Sequence, residues 1–329
     1  MALAATVEHE VRQAGNATNG GGFNVGASGT DYCKNQTNKN TVGNNISTTD
    51  AVTAVSTTVT SATASFTAAV VGNVIYLAGG TGPVTAARYE VKTFVDATTI
   101  TVDRNIVVST GVTMNIGGAL DFPATAIASM VAGNTVHVKD DGVDYAPATN
   151  TNFSVSGVDH SDLSEIIGYG TTRKDSGRPN IVMNNSVADV LSCTGSWQYV
   201  RNIKTSGGVG ASKSAVGINI TTGVRVLVEN CYATACTTYG FQKAGDQQTF
   251  VRCEADTMAT GATAGFRSSA TSDAEPDFLC YSHGHPSGCH GFQSDRGLFI
   301  ECIAANNIAG TTSDGFNMNG LFSGSGLIR

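Results

Sequence analysis

The sequence predicts an all-β chain whose C-terminal part is a parallel β-helix, and three observations carry that prediction. A Gly, large apolar, polar unit returns at Gly217-Ile218-Asn219, Gly240-Phe241-Gln242, Gly265-Phe266-Arg267, Gly291-Phe292-Gln293 and Gly315-Phe316-Asn317, at intervals of 23, 25, 26 and 24 residues. A second column keeps step with it: Ile203, Cys231, Cys253, Cys280 and Cys302. Two residues after each cysteine stands a small side chain, Ala233, Ala255, Ser282 or Ala304. A spacing of two is the strand period, so each cysteine shares a face with its small neighbour. The third observation is composition: 41% hydrophobic and only 14% charged residues, with 39 glycines among 329, favours β-type runs over amphipathic helices.

A fixed period between 20 and 50 residues denotes stacked supersecondary units. One unit is then one coil, and equivalent residues of successive coils lie about 4.8 Å apart. That spacing makes Phe241, Phe266, Phe292 and Phe316 an internal aromatic ladder, and Cys231, Cys253, Cys280 and Cys302 an internal thiol ladder. Asn202 and Asn230 mark a bend just before the second column, because Asn tolerates the left-handed conformation. Arg252 and Glu301 hold the same place in other coils, so that signal is partial. Eight cysteines raise the question of a disulfide framework. The chain is long enough to bury a core without staples, and thiols in an apolar column act as small hydrophobes, so free thiols are expected. Cys236 and Cys289, which fall in loops, are the least clear members.

The N-terminal half follows another pattern. Residues 1–44 read as an arm and the first half of a cap, 45–117 as an inserted block, and 118–329 as a cap helix followed by the coils. Strands are expected at Thr57–Ser61, Asn73–Ala78, Arg88–Phe94, Thr99–Val102 and Val112–Ile116, separated by Gly79-Gly80-Thr81-Gly82-Pro83 and Asp96-Ala97, which suggests a small antiparallel barrel or sandwich. Phe122 to Ala132 is expected as a short amphipathic helix over the open end of the stack, and Gly133–Lys139 as the first strand.

The run Val11-Arg12-Gln13-Ala14-Gly15-Asn16-Ala17-Thr18-Asn19-Gly20-Gly21-Gly22, followed by Gly29-Thr30-Asp31-Tyr32, resembles the opening of many right-handed β-helix proteins. Val71-Gly72-Asn73-Val74-Ile75-Tyr76, then Tyr89-Glu90-Val91, then Thr98-Thr99-Ile100-Thr101-Val102-Asp103, resembles barrel modules of bacteriophage structural proteins. Ile166-Ile167-Gly168-Tyr169-Gly170, then Gly177-Arg178-Pro179-Asn180-Ile181, is similar to a coil of the pectate-lyase-like superfamily. Together these features resemble a phage-type right-handed parallel β-helix protein of that superfamily, with an N-terminal cap and an inserted antiparallel β-barrel. The superfamily holds both enzymes and inert virion proteins, so fold does not decide function.

A glycan-cleaving β-helix needs paired carboxylates, or a calcium cluster with a basic residue, on its outer face. Of the polygalacturonase-like pattern only Ser282-His283-Gly284 is present. Asp273, Glu275 and Asp277 read as a solvated turn, and Glu254, Asp256, Asp295 and Asp314 as surface charge, with intercoil carboxylate pairs the alternative. His283, His285, Cys289 and His290 are candidate zinc ligands, although the Pro and Gly among them favour a corner loop. Trp197 and Tyr199 read as a packed or subunit-facing pair, with an exposed sugar platform the alternative. The Gly20-Gly21-Gly22 run lacks the Lys-Ser/Thr of a phosphate loop.

No catalytic residue and no cofactor are therefore expected. The reading is a non-enzymatic virion protein, a homotrimeric head-decoration or particle-surface spike bound to other capsid or tail proteins. The alternative is a tailspike or receptor-binding protein that binds or cleaves host-surface glycan. The net charge of -7 argues against a nucleic-acid partner. The lack of an 18-residue apolar run argues against membrane insertion. With no visible signal peptide, synthesis in the host cytoplasm and residence in the virion are expected. Leu321, Phe322, Leu327 and Ile328 are expected to be covered in the assembly.

Overall fold

The structure is a computed structural model, and it describes residues 3–34, 46–82, 84–183, 188–207, 215–269, 276–295, 298–305, 307 and 314–318. The chain divides into two compact units, residues 1–139 and 140–329.

In the first unit six antiparallel strands close a barrel. They are Ile46–Thr53, Ser56–Thr60, Thr99–Ile106, Val84–Asp96, Val74–Gly79 and Ser109–Ile116, in that order around the wall. Thr, Val and Ile fill these strands, as half-buried pleated surfaces favour. Val59, Ile75, Leu77, Val91, Ile100, Met114 and Ile116 meet in the barrel core. Asp96 turns the chain between two strands by accepting the Thr98 N–H at 2.8 Å, while Gly79 and Gly80 adopt positive φ at another turn. A barrel therefore forms where the composition left a sandwich open. Ile46–Thr53 was not expected as a strand: Ile-Ser-Thr-Thr-Asp-Ala-Val-Thr has too few apolar residues to announce one.

Strand Val7–Val11 pairs in parallel with Thr135–Lys139 and antiparallel with Gly22–Asn24. The expected helix is shorter than its apolar pattern, spanning Pro123–Ile127. Its start is held by Asp121, whose Oδ1 accepts from the Phe122 N–H and the Thr125 hydroxyl. It stops early because Asn134 Oδ1 takes the Val131 N–H at 2.9 Å and the Ser129 hydroxyl takes the Ala126 carbonyl. Side chains thus occupy backbone groups that further helical turns would need. Ile127 and Met130 are still buried.

The second unit is a parallel β-helix of three sheets, each coil contributing one strand to each. The first sheet holds Ser164–Tyr169, Gln198–Arg201, Val226–Glu229, Gln248–Val251, Asp277–Phe278 and Phe299–Ile300. The second holds Asn180–Val182, Lys204–Ser206, Tyr232–Thr234, Glu254–Asp256, Tyr281–His283 and Ile303–Ala305. The third holds Thr151–Phe153, Leu191–Cys193, Val216–Ile220, Tyr239–Lys243, Ala264–Ser268, His290–Ser294 and Phe316–Met318. The register is residue on residue. Ile218, Phe241, Phe266, Phe292 and Phe316 pair in succession in the third sheet. The four phenylalanine rings stack with centroids 4.8, 4.8 and 4.9 Å apart and planes within 11° of parallel. Phe250 closes on Phe241 edge to face at 5.3 Å.

The corner from the first sheet to the second takes two residues in each coil. The first lies in the left-handed region in all five coils from Asn202 on: Asn202 (φ 56), Asn230 (φ 51), Arg252 (φ 52), Leu279 (φ 54) and Glu301 (φ 54). The second turns inward as Ile203, Cys231, Cys253, Cys280 or Cys302, all buried. Asn202 and Asn230 use their amides at this corner: Asn230 Nδ2 donates to Asn202 Oδ1 at 2.6 Å, and Asn202 Nδ2 to the Asp175 carbonyl at 3.0 Å.

All eight cysteines are free and buried, including Cys236 and Cys289. The thiol of Cys253 rests on the Val228 carbonyl at 3.4 Å and that of Cys280 on the Phe250 carbonyl at 3.5 Å. Burial pushes both thiols well above their ordinary range. Asp277 corrects the reading of a solvated turn. It is buried and accepts from Lys243 Nζ at 2.8 Å and from the Phe250 N–H at 3.0 Å. Burial pushes its carboxyl up, against the pull of the Lys243 charge. Asp273, Glu275, Leu321, Phe322, Leu327 and Ile328 lie outside the described residues.

Two outcomes follow for stability. Phe266→Ala removes a ring packed between two others and should cost about 3–5 kcal/mol, read as a lower urea midpoint. Leu279→Asn, at a half-exposed residue held at φ 54, should instead stabilise the fold by about 0.5–1 kcal/mol, read as a higher midpoint, because Asn tolerates the left-handed region better.

Candidate functional site

The outer face of the second sheet is built from strands of three residues, whose first and third side chains point outward and whose middle one points in. Thr205, Ala233, Ala255 and Ser282 are accordingly buried in the middle positions. Coil stacking then writes two outward columns. One runs Asn180, Lys204, Tyr232, Glu254, Tyr281, and the other Val182, Ser206, Thr234, Asp256, His283.

These columns bring titratable groups of neighbouring coils together. His283 Nε2 lies 2.9 Å from Glu254 Oε1, and its Nδ1 lies 3.4 Å from Asp256 Oδ1. One imidazole thus sits between two carboxylates. The Tyr232 hydroxyl donates to Asp256 Oδ2 at 2.5 Å, and the Thr257 hydroxyl to Asp256 Oδ1 at 2.6 Å. Burial pushes Asp256 up, but these two hydrogen bonds and the neighbouring His283 outweigh it, so its carboxyl lies below the ordinary range. Tyr232 moves the other way: burial and the bond to Asp256 keep its hydroxyl protonated far above the usual phenol range. The Tyr281 ring stacks on the His283 ring at 4.3 Å. Two cations edge the cluster. Arg178 Nη1 is 3.9 Å from Glu254 Oε2 while its other arm donates to Asn230 Oδ1, and the Lys204 ammonium lies 5.3 Å from the centre of the Tyr232 ring.

Gly284 completes the arrangement. It has φ +67, and a Cβ there would come within 2.9 Å of Asp256 Oδ1, so the glycine after His283 leaves the carboxylate its space. Behind the face, Ser282 donates to the Gly291 carbonyl at 2.9 Å and meets His285 Nε2 at 2.7 Å. Burial and the nearby His283 lower His285 to about 4, which keeps it neutral beside the cluster.

The four candidate zinc ligands do not converge. His283 points outward on the second sheet, and His285 and Cys289 are buried apart from it. His290 stands on the third sheet, where its ring nitrogens meet the Asp314 N–H at 3.1 Å and the Asn317 amide at 2.9 Å. Among the described residues no group of three or more His, Cys, Asp and Glu is placed to hold a metal ion. Asp295 is engaged by Arg267 of the preceding coil at 2.6 and 3.2 Å. Glu254 and Asp256, read from sequence as surface charge, are corrected to members of the histidine cluster. Tyr199 and Trp197 part company: Tyr199 donates to Glu229, whereas Trp197 stands at a corner with the Arg225 guanidinium 4.4 Å from its ring centre.

No family model and no curated protein sequence matches the chain. Among solved structures it is similar to an alginate lyase from Paenibacillus sp. str. FPU-7, at 11% identity over 56% of this chain and 65% of that one, with a TM-score of 0.41. It is also similar to a rhamnogalacturonan lyase, at 13% identity over 61% and 57% of the two chains, with a TM-score of 0.40. A third is the catalytic domain of a GH87 α-1,3-glucanase in complex with tetrasaccharides, at 9% identity over 84% and 67%, with a TM-score of 0.38. The chain thus spans less than two thirds of either lyase. The expectation of a non-enzymatic virion structural protein is corrected. The solved structures named above are glycan lyases and a glucanase catalytic domain, and Glu254, Asp256 and His283 come together on the second sheet. Likeness at this level transfers no residue role and no substrate, and nothing in it bears on a phage origin.

The buried ion pair in the interior yields its own test. Asp277→Asn removes the carboxylate 2.8 Å from the buried Lys243 ammonium and should destabilise the fold by about 3–5 kcal/mol. Lys243→Met with Asp277→Leu should recover much of that loss, both read by thermal and urea unfolding.

Proposed function

We propose that the protein is a glycan-cleaving β-helix whose reacting groups are Glu254, Asp256 and His283. The observation that carries this reading is the placement of His283 between the two carboxylates, at 2.9 and 3.4 Å, on an outward face with two tyrosines. Hydrolysis of a glycosidic bond needs one group to protonate the leaving oxygen and a second, ionised group to activate water or stabilise the cationic sugar. Asp256, held below the ordinary carboxylate range, suits the ionised role. It takes a proton from the water that attacks the anomeric carbon. His283, 2.9 Å from Glu254, delivers a proton to the departing sugar oxygen. Tyr232 positions Asp256, and Tyr281 holds the His283 ring by stacking.

A second reading, β-elimination from a uronate, is favoured by Arg178 and Lys204 at the same face. In that reaction the two cations hold the sugar carboxylate while a base removes the adjacent C–H proton, a C=C bond forms, and the glycosidic C–O bond one carbon further breaks, its oxygen leaving with a proton.

Incubation with a panel of neutral and acidic polysaccharides, read by reducing ends and by the ultraviolet absorbance of an unsaturated product, separates the two chemistries. Glu254→Gln and Asp256→Asn are each expected to lower turnover by about 10²–10⁴-fold with the far-ultraviolet dichroism unchanged. Unaltered product release by both variants would remove the cluster from the reaction. The pH profile adds a signed test. Asp256 acts as the base, and its carboxyl lies below the ordinary range, so the acid limb of kcat/KM should fall below the ordinary carboxylate pKa of about 3.9. Tyr232→Phe removes one bond that holds it down, and the limb should move up in pH.

A further inference from the structure

A second feature of the coil stack lies at the corner that leads into the first sheet. A pocket of 380 Å³ opens there, lined by His160, Trp197, Gln198, Arg225, Leu227 and Gln247 among others. Its volume sits at the lower end of the range of about 300–1,000 Å³ usual for small-molecule sites. In successive coils the corner residues Trp197, Arg225 and Gln247 share a left-handed conformation, with φ 55, 59 and 54. The corner repeats, and so the aromatic, the cation and the amide come to line one concavity.

Three properties of this pocket point to a ligand. The first is charge. The protein carries a net charge of -7, yet no carboxylate lines the pocket, and Arg225 has no acidic partner within ion-pair distance among the described residues. Its guanidinium lies against the indole of Trp197 at 4.4 Å, a stacking that orients the planar fork without using its hydrogen-bond donors.

The second is an unpaired acceptor. Gln198 is buried, and its Nε2 donates to the Phe153 and Val155 carbonyls at 2.7 and 2.9 Å, but its Oε1 accepts nothing among the described residues. Two coils on, at the equivalent register position, Gln248 turns its Oε1 to the Ala244 and Gly245 N–H groups at 3.1 and 3.0 Å. The same residue in the same corner is satisfied in one coil and unpaired in the other, and Gln198 lines the pocket. A buried acceptor without a donor is unfavourable, and because Oε1 is enclosed a ligand hydroxyl reaches it only once the Gln198 amide turns toward the pocket.

The third is shape. An indole and Leu227 give an apolar wall beside polar tips, the mixture that suits a ring with one apolar side and a rim of hydroxyls. Hydroxyl donors for Gln198 and an anion for Arg225 are both met by one chemical class, a sugar bearing a carboxylate.

We propose that this corner pocket is a second carbohydrate site, separate from the Glu254, Asp256 and His283 cluster, and that it takes a uronic acid residue of the glycan. The carboxylate pairs with Arg225, the Gln198 amide turns outward to meet a ring hydroxyl, and the sugar ring lies on the apolar wall. The proposal rests on the glycan reading above, but its test does not depend on cleavage.

Trp197 is the one tryptophan of the chain, so intrinsic fluorescence reports this pocket directly. The experiment titrates the full chain, as the Glu254→Gln variant to suppress turnover, with trigalacturonate and in parallel with neutral maltotriose. A saturable change in tryptophan emission with trigalacturonate, at least tenfold weaker for maltotriose, is the expected result. Arg225→Gln, at an exposed residue, should weaken trigalacturonate at least tenfold with unchanged dichroism, and Arg225→Lys should fall between. Equal response to the two sugars would overturn the acidic-sugar assignment. No change in Trp197 emission with either sugar, or undiminished binding by Arg225→Gln, would overturn the site. Failure of the cleavage assays with a retained Trp197 response would sink the catalytic cluster and leave this pocket standing.

Discussion

Everything placed on the second unit depends on coil-to-coil register. Because the strands pair in parallel and residue on residue, a side chain's neighbours are fixed by its position in the coil, whatever the loop length between coils. Tyr281 pairs with Glu254 and His283 with Asp256; a slip of one residue would send both outward columns into the core and bring Ser282 out. The register is itself fixed from inside. The Phe241 to Phe316 stack allows one alignment with rings 4.8 to 4.9 Å apart, and offset or parallel ring pairs add about 0.5–1.5 kcal/mol each beyond area burial. The two-residue corner then transmits that alignment to the second sheet, since a single left-handed residue leaves little freedom in where the next strand starts.

This economy of corners has a cost that falls on particular residues. A left-handed conformation is comfortable for Asn202 and Asn230, whose amides also satisfy local carbonyls, and less so for Arg252, Leu279 and Glu301 at roughly 1–2 kcal/mol each. Arg252 recovers part of it by donating to Glu229, which also accepts from Tyr199. Leu279, half-exposed, has no polar group to engage. The strain is carried because the next residue of each corner, Cys253, Cys280 or Cys302, is thereby turned into the buried column.

The same features divide what the sequence discloses from what it hides. The Gly-Phe and Cys columns are legible because each repeats one residue type at one phase, and burial selects for that. The barrel is legible through its turns, though Ile46–Thr53 is not, being a strand of polar residues. The cluster on the second sheet is hidden for a different reason. Glu254 and Asp256 precede His283 by 29 and 27 residues, and only the pairing of two coils brings them into contact. Ser282-His283-Gly284 stands out as a tripeptide, but companions sought in a linear order are absent, while the true neighbours lie on the coil before. Lys243 and Asp277 are likewise joined by the interior, and no local pattern distinguishes a buried aspartate after Pro276 from one in a turn.

The position of the cluster also follows from geometry. Each strand of the second sheet has three residues and two outward positions, so a column of side chains there is narrow and each side chain has neighbours directly above and below. A carboxylate in such a column meets the next coil's side chain before it meets water, which is how His283 comes to bridge Glu254 and Asp256. What keeps this crowding from locking the site is the chemistry behind it. His285, lowered to about 4 by burial and by His283, is neutral through the ordinary working range and adds no charge to the cluster. Its bond to Ser282 anchors the strand from within. Glu254, Asp256 and His283 therefore stand on two paired strands, with the Asp256 carboxylate held by Tyr232 and Thr257, so that the acid and base proposed above are presented by adjacent coils.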